Sequence, residues 1–278
     1  MDFFVPYLQD YGVILGLTAV LLVVRRQAQR RFGDSHLIAE ATLIYAAYFC
    51  YYLARGLVKD QVATAHVNAH RVVDLERSLR MFVEPEAQQF ALQHDWIINM
   101  MNWVYVWFHW PVIAIVLIWL FFNYPSDYML FRNGILISGA LALLIFTFFP
   151  VAPPRFIPEF GFIDTIEQRS YSQRVLLPSG LANKYAAVPS LHAGWNLLMG
   201  IAIVRNARGY AFKATGVVLP IMMTLSIVLT GNHYILDAVA GDAIALLGLF
   251  LAARFFRQRL STPTPPQPRP PEIAVPTS

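Results

Sequence analysis

Long apolar stretches separated by short polar segments dominate the pattern along the chain. A helix needs roughly 20 mostly apolar residues to cross the hydrocarbon core of a membrane. Stretches that approach this length cover residues 3–24, 37–58, 97–122, 130–149, 188–204, 214–230 and 234–256. The pattern predicts an all-α fold, a polytopic transmembrane helix bundle of about six or seven spans.

The composition supports a membrane environment. Of the 278 residues, 57% are hydrophobic and 14% are charged, and the mean hydropathy is +0.49. Average soluble domains carry about 25% charged residues, so a soluble protein would have too little polar surface to cover this apolar content. The single cysteine, Cys50, excludes cysteine-rich metal sites and an intrachain disulfide. We expect an integral membrane protein.

Basic residues cluster in short connections next to the apolar stretches. They are Arg25, Arg26, Arg30, Arg31, Arg132, Arg205, Arg208, Lys213, Arg254, Arg257 and Arg259. Positively charged loops face the cytoplasm, so with seven alternating spans these connections share the cytoplasmic side. The amino terminus and the longer connections, 59–96 and 150–187, are then expected on the opposite side, with the plasma membrane as the expected location.

The domain organisation is simple. We expect residues 1–261 to form one transmembrane domain, whose motif-bearing core is 130–256. Residues 262–278 are rich in proline and are expected to form a disordered cytoplasmic tail.

The connection 59–96 is charged but holds apolar residues at helical spacing. These residues are Val72, Leu75, Leu79 and Phe82. They predict one or two amphipathic helices at the membrane interface, on the non-cytoplasmic side.

Three histidines admit two interpretations each. His66 and His70 share a helical face near Asp74, which fits a metal site or a solvated face, and the charged surroundings favour the solvated face. His109 lies between Trp107 and Trp110 in an apolar stretch. It is interpreted as a packing or interface residue, with contact to a substrate as the alternative.

Three groups of polar residues lie at the same ends of the last four apolar stretches. They are Pro153-Pro154-Arg155, Pro189-Ser190-Leu191-His192 and Gly231-Asn232-His233-Tyr234-Ile235-Leu236-Asp237. Ionisable residues close to membrane spans are costly and mark functional sites. The predicted topology places all three groups at the non-cytoplasmic face, which predicts one shared site.

The residue types in these groups fit phosphate transfer. His233 and Asp237 are four residues apart and share a helical face. The carboxylate fixes the tautomer, so the imidazole keeps a lone pair for attack on phosphorus. His192 is a candidate general acid. Phosphate-binding candidates are Arg155, Ser190 and Lys184, together with the backbone N–H groups that open the stretch 188–204.

These residues resemble the type 2 phosphatidic acid phosphatase superfamily. Its motifs are Lys-x6-Arg-Pro, Pro-Ser-Gly-His and Ser-Arg-x5-His-x3-Asp. The second is similar to residues 189–192, and the third to residues 226–237. The branch that contains inositol phosphorylceramide synthase is more similar still, in Phe149-Pro150-Val151-Ala152-Pro153-Pro154-Arg155, Ala186-Ala187-Val188-Pro189-Ser190-Leu191-His192 and Thr230-Gly231-Asn232-His233-Tyr234.

The resemblance covers residues 149–241 and implies a helical membrane core. It implies that His233 is the nucleophile, Asp237 its partner and His192 the general acid. The chain departs from the wider family at three positions. Phe148 stands where the first motif has lysine, Leu191 replaces glycine, and Ile227 replaces arginine. Lys184 is a candidate substitute for one of these cations.

These residues and the resemblance predict a membrane enzyme that needs no metal or cofactor and forms a phosphohistidine. Its expected substrate is a phospholipid or an isoprenoid phosphate, within membrane lipids, and no nucleic-acid partner is expected. Water as the second nucleophile makes it a phosphatase. An alcohol such as inositol makes it a phosphotransferase, which includes transfer of a phosphoryl headgroup such as phosphoinositol to a lipid or alcohol acceptor. The alternatives are a non-catalytic scaffold or transporter on the same fold, and a proton or ion pathway.

Overall fold

The described part of the protein is helical. A computed structural model describes residues 61–165 and 185–260, with side chains to residue 255, and isolated positions among the first 60 residues. Its helices are α1 Val62–Ser78, α2 Glu84–Leu92, α3 Asp95–Trp107, α4 Trp110–Asn123, α5 Pro125–Phe148, α6 Leu191–Asn206, α7 Tyr210–Leu229 and α8 Ile235–Leu260. Two 3-10 turns, Pro154–Phe156 and Pro158–Phe160, lie in the connection after α5. The all-α prediction is confirmed.

Three of the described helices are long and apolar enough to cross a membrane. They are α5, α7 and α8 up to Phe255, and the bent pair of α3 and α4 makes a fourth if it is one span. The helix α6, with 16 residues, is shorter. The predicted spans 3–24 and 37–58, and the predicted tail, lie outside the described residues.

The stretch 97–122 was predicted as one helix and is two. The helices α3 and α4 meet at 46°, and His109 is the residue that precedes α4. Pro111 occupies the first turn of α4. Proline has no N–H and its ring collides with the carbonyl group four residues earlier, so a straight helix cannot continue through this position.

The connection 59–96 forms α1 and α2, which agrees with the prediction of one or two helices. Their position at a membrane interface stays a prediction. Of the apolar residues that predicted these helices, Val72 is buried, whereas Leu75 and Leu79 are 52% and 51% exposed. The buried face of α1 carries Ala65, Asn68, Ala69, Val72, Val73 and Glu76. Its small residues let α1 approach the backbone of residues 150–152, where Ala152 N–H donates to the Ala65 carbonyl oxygen at 3.0 Å.

The helix α6 packs against both α7 and α8, and α8 also packs along α5. Gly194 and Gly241 allow the close approach of α6 and α8. A Cβ atom on Gly194 would overlap the Gly241 carbonyl oxygen, and one on Gly241 would overlap the Ser190 carbonyl oxygen. The beginnings of α6 and α8 are therefore in direct backbone contact.

The outward faces of the long helices are apolar. Ile115, Leu144, Ile221 and Phe250 are each more than half exposed. Such a surface is costly in water and is satisfied by hydrocarbon. The described part of the chain is therefore all-helical and has the apolar outer surface of a membrane protein.

Candidate active site

The connection between α7 and α8 places His233 at the site. Gly231 has φ +70°, and Asn232 N–H donates to the Ile227 carbonyl oxygen at 3.0 Å. This is a Schellman ending, in which a left-handed residue, usually glycine, closes the helix. The chain therefore reverses immediately after α7 and delivers His233 to the start of α8.

His233 is held at one ring nitrogen by two acceptors. Its Nδ1 lies 2.9 Å from the Ala187 carbonyl oxygen and 3.2 Å from Asp237 Oδ2. Because both neighbours accept, Nδ1 carries the hydrogen, and the lone pair is on Nε2. Asp237 is fully buried, and its Oδ2 also accepts from Tyr234 N–H at 3.0 Å. The predicted pairing of His233 with Asp237 is present in the structure.

The environment keeps His233 neutral. Burial, together with the positive charge of Arg155, lowers the pKa of His233 to about 3, against the hydrogen bond to Ala187. A neutral imidazole is the form that attacks an electrophile.

His192 lies beside His233 at the beginning of α6. The centroids of the two rings are 5.6 Å apart. Ser190 is fully buried and caps α6, with its Oγ accepting from Ala193 N–H at 3.4 Å. The structure therefore brings both predicted histidines together and gives Ser190 a position at the N-terminus of the same helix.

A third histidine lies in the same cluster. The His109 and His192 rings are 4.1 Å apart at their centroids, and Tyr105 stacks on His192 at 4.7 Å. Asn196 lies between them, since its Nδ2 donates to the His192 carbonyl oxygen at 2.8 Å and lies 3.4 Å from His109 Nδ1. Sequence reasoning did not place His109 here. Pro111 breaks the helix before α4, and this break directs the His109 side chain into the cluster.

Arg155 is anchored next to the site. Its Nε lies 3.1 Å from Asp164 Oδ2, and its Nη1 donates to Asn232 Oδ1. Its backbone N–H donates to the Gly231 carbonyl oxygen at 2.9 Å. The guanidinium therefore pairs with Asp164 and not with Asp237, which is taken by His233.

The remaining predicted residues have separate outcomes. Lys184 lies outside the described residues. Phe148, at the position of a family lysine, is 80% exposed, and Ile227, at the position of a family arginine, is fully buried. His70 Nε2 lies 3.1 Å from Glu159 Oε1. Within residues 61–165 and 185–255, no three His, Cys, Asp or Glu side chains form a cluster able to hold a metal ion.

Two buried acids were missed. Glu76 and Glu84 are fully buried and contact the beginning of α8. They lie in a connection whose charge predicted a solvated interface. The periodicity of charged residues carries no signal that separates a buried glutamate from an exposed one.

Comparison with known protein families identifies the family of this chain. A family model described as the PAP2 superfamily, the type 2 phosphatidic acid phosphatases, matches residues 70–251, which is more than half of the chain. The chain belongs to the PAP2 superfamily. Membership supports an integral membrane protein with a phosphatase-type activity toward lipid phosphates. No curated protein and no solved structure matches the chain.

Proposed function

We propose that the protein is a metal-independent lipid-phosphate phosphatase or phosphotransferase that works through a phosphohistidine on His233. The observation that carries this proposal is the double anchoring of His233 Nδ1 by Ala187 and Asp237, which aims a neutral Nε2 away from both. An oriented, neutral imidazole beside a second histidine is the arrangement that two-step phosphoryl transfer needs.

In the first step, the lone pair of His233 Nε2 forms a bond to phosphorus while the bond to the leaving oxygen breaks. The imidazole becomes positively charged, and the Asp237 carboxylate stabilises that charge through Nδ1–H. His192 donates a proton to the leaving oxygen, because the anionic substrate favours the protonated form of this residue.

In the second step, neutral His192 takes a proton from the incoming water or alcohol. The oxygen of that nucleophile bonds to phosphorus as the bond to His233 Nε2 breaks. The products are phosphate or a phosphoryl ester, and His233 returns to its neutral form.

Arg155 is proposed to stabilise the charge on the transferring group. A guanidinium carries five N–H donors, of which Asp164 and Asn232 take two in the contacts described above. A phosphate oxygen is the natural partner for further donors. Ser190, Lys184 and the N-terminus of α6 complete the proposed phosphate cradle.

An apolar groove supports a lipid substrate. A cavity of about 430 Å³ lies between α1 and α8 and is lined mainly by apolar side chains, among them Val72, Leu75, Val188 and Leu236. Val188 directly follows Ala187, and Leu236 directly precedes Asp237, so the groove begins beside the histidine anchor. Hydrocarbon chains of a phospholipid or an isoprenoid phosphate suit such a lining.

Transfer to an alcohol is the second candidate. Residues 149–155, 186–192 and 230–234 resemble the inositol phosphorylceramide synthase branch, and the family positions of a lysine and an arginine are held by Phe148 and Ile227. The resemblance favours transfer, with a lipid alcohol or a small alcohol such as inositol as acceptor. The charge bias of the loops supports a site on the non-cytoplasmic side, and the plasma membrane is the proposed location.

The proposal is tested by product analysis on the purified full-length protein in detergent with a chelator present. We expect metal-independent release of phosphate from a lipid phosphate, lost in His233→Ala. Release that persists in this variant would contradict the proposed nucleophile.

The choice of acceptor needs a second arm. Phosphoinositol-headgroup donors are supplied with and without a lipid alcohol, and phosphate monoesters with and without inositol. A new phosphate ester that forms only with the added alcohol identifies a phosphotransferase: a phosphodiester of the lipid alcohol in the first case, and a phosphate monoester of inositol in the second. Phosphate release that is unaffected by alcohol identifies a phosphatase. A matched control is His94→Ala, because His94 is only half-buried and its Nδ1 contacts the Phe90 carbonyl oxygen of its own segment.

A further inference from the structure

Two glutamates from separate helices hold the beginning of α8. Ile235 N–H donates to Glu84 Oε1 at 2.9 Å, and Leu236 N–H donates to Glu76 Oε1 at 2.8 Å. These are the second and third residues after His233. Their N–H groups have no partner within the helix, because the first turn of a helix leaves its donors unpaired. The backbone that presents His233 is therefore fixed by α1 and α2.

The second oxygens of the two carboxyl groups are the unusual feature. Glu76 and Glu84 are fully buried, and among the described residues neither Oε2 has a hydrogen-bond partner. A buried oxygen with no partner is costly. One proton held between the two carboxyl groups satisfies both oxygens at once.

The electrostatics agree with a shared proton. Burial, with the adjacent Glu84 carboxyl group and the charge of Asp237, raises the pKa of Glu76 to about 9, against the hydrogen bond from Leu236 N–H. Tyr234, which faces the same acids, has a raised pKa because of burial and the charges of Asp237, Glu76 and Glu84. The charged groups that act on Glu76 are thus acidic, and a second negative charge there would be unfavourable.

The local fold brings the two acids together. Arg80 is left-handed at φ +58°, and Met81 N–H donates to the Glu76 carbonyl oxygen at 2.8 Å, so α1 ends in a Schellman turn. The chain reverses within a few residues and starts α2 at Glu84. The turn places both carboxyl groups over the start of α8.

We propose that Glu76 and Glu84 form a proton-sharing carboxyl pair that caps α8 and so positions His233 and Asp237. Both glutamates are positioning residues and act through the backbone of Ile235 and Leu236. A singly charged pair suits the N-terminus of a helix, where the helix dipole favours one negative charge. The catalytic role of the pair rests on the proposed function, whereas the shared proton itself does not.

The test uses glutamine, which mimics a glutamate that is permanently protonated. In Glu76→Gln or Glu84→Gln, the amide oxygen still accepts the helix N–H and the amide nitrogen donates to the remaining carboxylate. In the double variant, both oxygens are taken by the helix and two amide nitrogens face each other, which is a donor–donor clash. We therefore expect the single variants to fold stably and the double variant to be less stable.

The first readout is the thermal unfolding midpoint of the full chain in detergent, measured across pH. Between pH 4.5, which is the ordinary pKa of this glutamate, and about pH 9, the folded wild type keeps a proton that the unfolded chain has lost. Stability therefore falls as pH rises through this interval. We expect this fall to be smaller in each single glutamine variant and the midpoint of the double variant to be lower by several degrees at every pH.

The matched control is Glu86→Gln, an exposed acid on the same helix as Glu84, which should follow the wild type. A single variant that keeps the full wild-type decline, or a double variant as stable as the singles, would overturn the shared proton. This readout needs no enzymatic activity, so its failure is distinct from failure of the proposed function.

The second readout is phosphate release at neutral pH. We expect kcat to fall about 10- to 100-fold in the double variant, with KM changed far less, and the single variants to restore it. A double variant that is less stable but has a wild-type kcat would show that the pair only stabilises the fold. That result would overturn its positioning role.

Discussion

The backbone N–H of Ser190 donates to the carbonyl oxygen of Asp237 at 2.9 Å. This bond joins the residue that caps α6 to the first turn of α8. His192 belongs to the first of these helices, and His233 lies two residues before the start of the second. The distance between the two histidines is therefore set by backbone contact between helices.

Gly241→Ala tests this dependence. A methyl group at this position would overlap the Ser190 carbonyl oxygen, so α8 must move away from α6. We expect a loss of stability of about 1–3 kcal/mol, and kcat should fall more than KM rises. Unfolding in denaturant and steady-state phosphate release measure the two effects. Leu247→Ala, at an exposed position of α8, is the control; equal effects from both variants would contradict the account.

Removal of the general acid should depend on the leaving group. His192→Ala is expected to slow release from an alkyl lipid phosphate by about 10²- to 10⁴-fold. An aryl phosphate, whose leaving oxygen needs no proton, should lose much less in its first step and show a burst of the aryl alcohol. Stopped-flow absorbance measures the burst. An equal loss on both substrates would rule out proton donation by His192.

Asp237→Asn should misorient His233 while leaving the shape of the site intact. The amide can present its nitrogen to Nδ1, which favours the wrong tautomer, and it removes the charge that stabilises the imidazolium. We expect kcat to fall by about 10²- to 10⁴-fold. Steady-state rates, with the unfolding midpoint as a check on folding, measure this loss. Near-normal turnover in the folded variant would show that Asp237 is not the partner of His233 in catalysis.

Much of this arrangement was predictable from sequence, for physical reasons. Apolar runs locate helices because hydrocarbon demands them, and the four-residue spacing of His233 and Asp237 fixes a shared contact. The burial of Glu76 and Glu84 was not predictable, because it depends on which side of α1 meets α8. The helix break before Pro111 was readable in principle. The position of His109 beside His192 was not, because it depends on the direction in which α4 leaves that break.

The acid limit of activity should move when Arg155 is replaced. Burial, with the charge of Arg155, lowers the pKa of His233 to about 3, and activity requires the neutral ring. Activity is lost as pH falls through that pKa. Arg155→Gln removes the nearby positive charge, so the pKa rises and the loss begins at a higher pH.

The measurement is the ratio of kcat/KM in Arg155→Gln to that in wild type between about pH 4 and pH 7. The ratio removes the ionisation of the substrate, which is common to both proteins. It should fall as the solution becomes more acidic. Arg205→Gln is the control, because Arg205 pairs with Asp127 away from the histidines. A ratio that stays constant across this range would contradict the electrostatic coupling of Arg155 to His233.

The most direct test of the account is to trap the intermediate. Wild-type protein is mixed with a substrate labelled at phosphorus, quenched in base within one turnover, and digested for peptide mapping. The account predicts an acid-labile, base-stable label on His233, absent from His233→Ala and longer-lived in His192→Ala. A label on another residue, or turnover in His233→Ala at the wild-type rate, would contradict it.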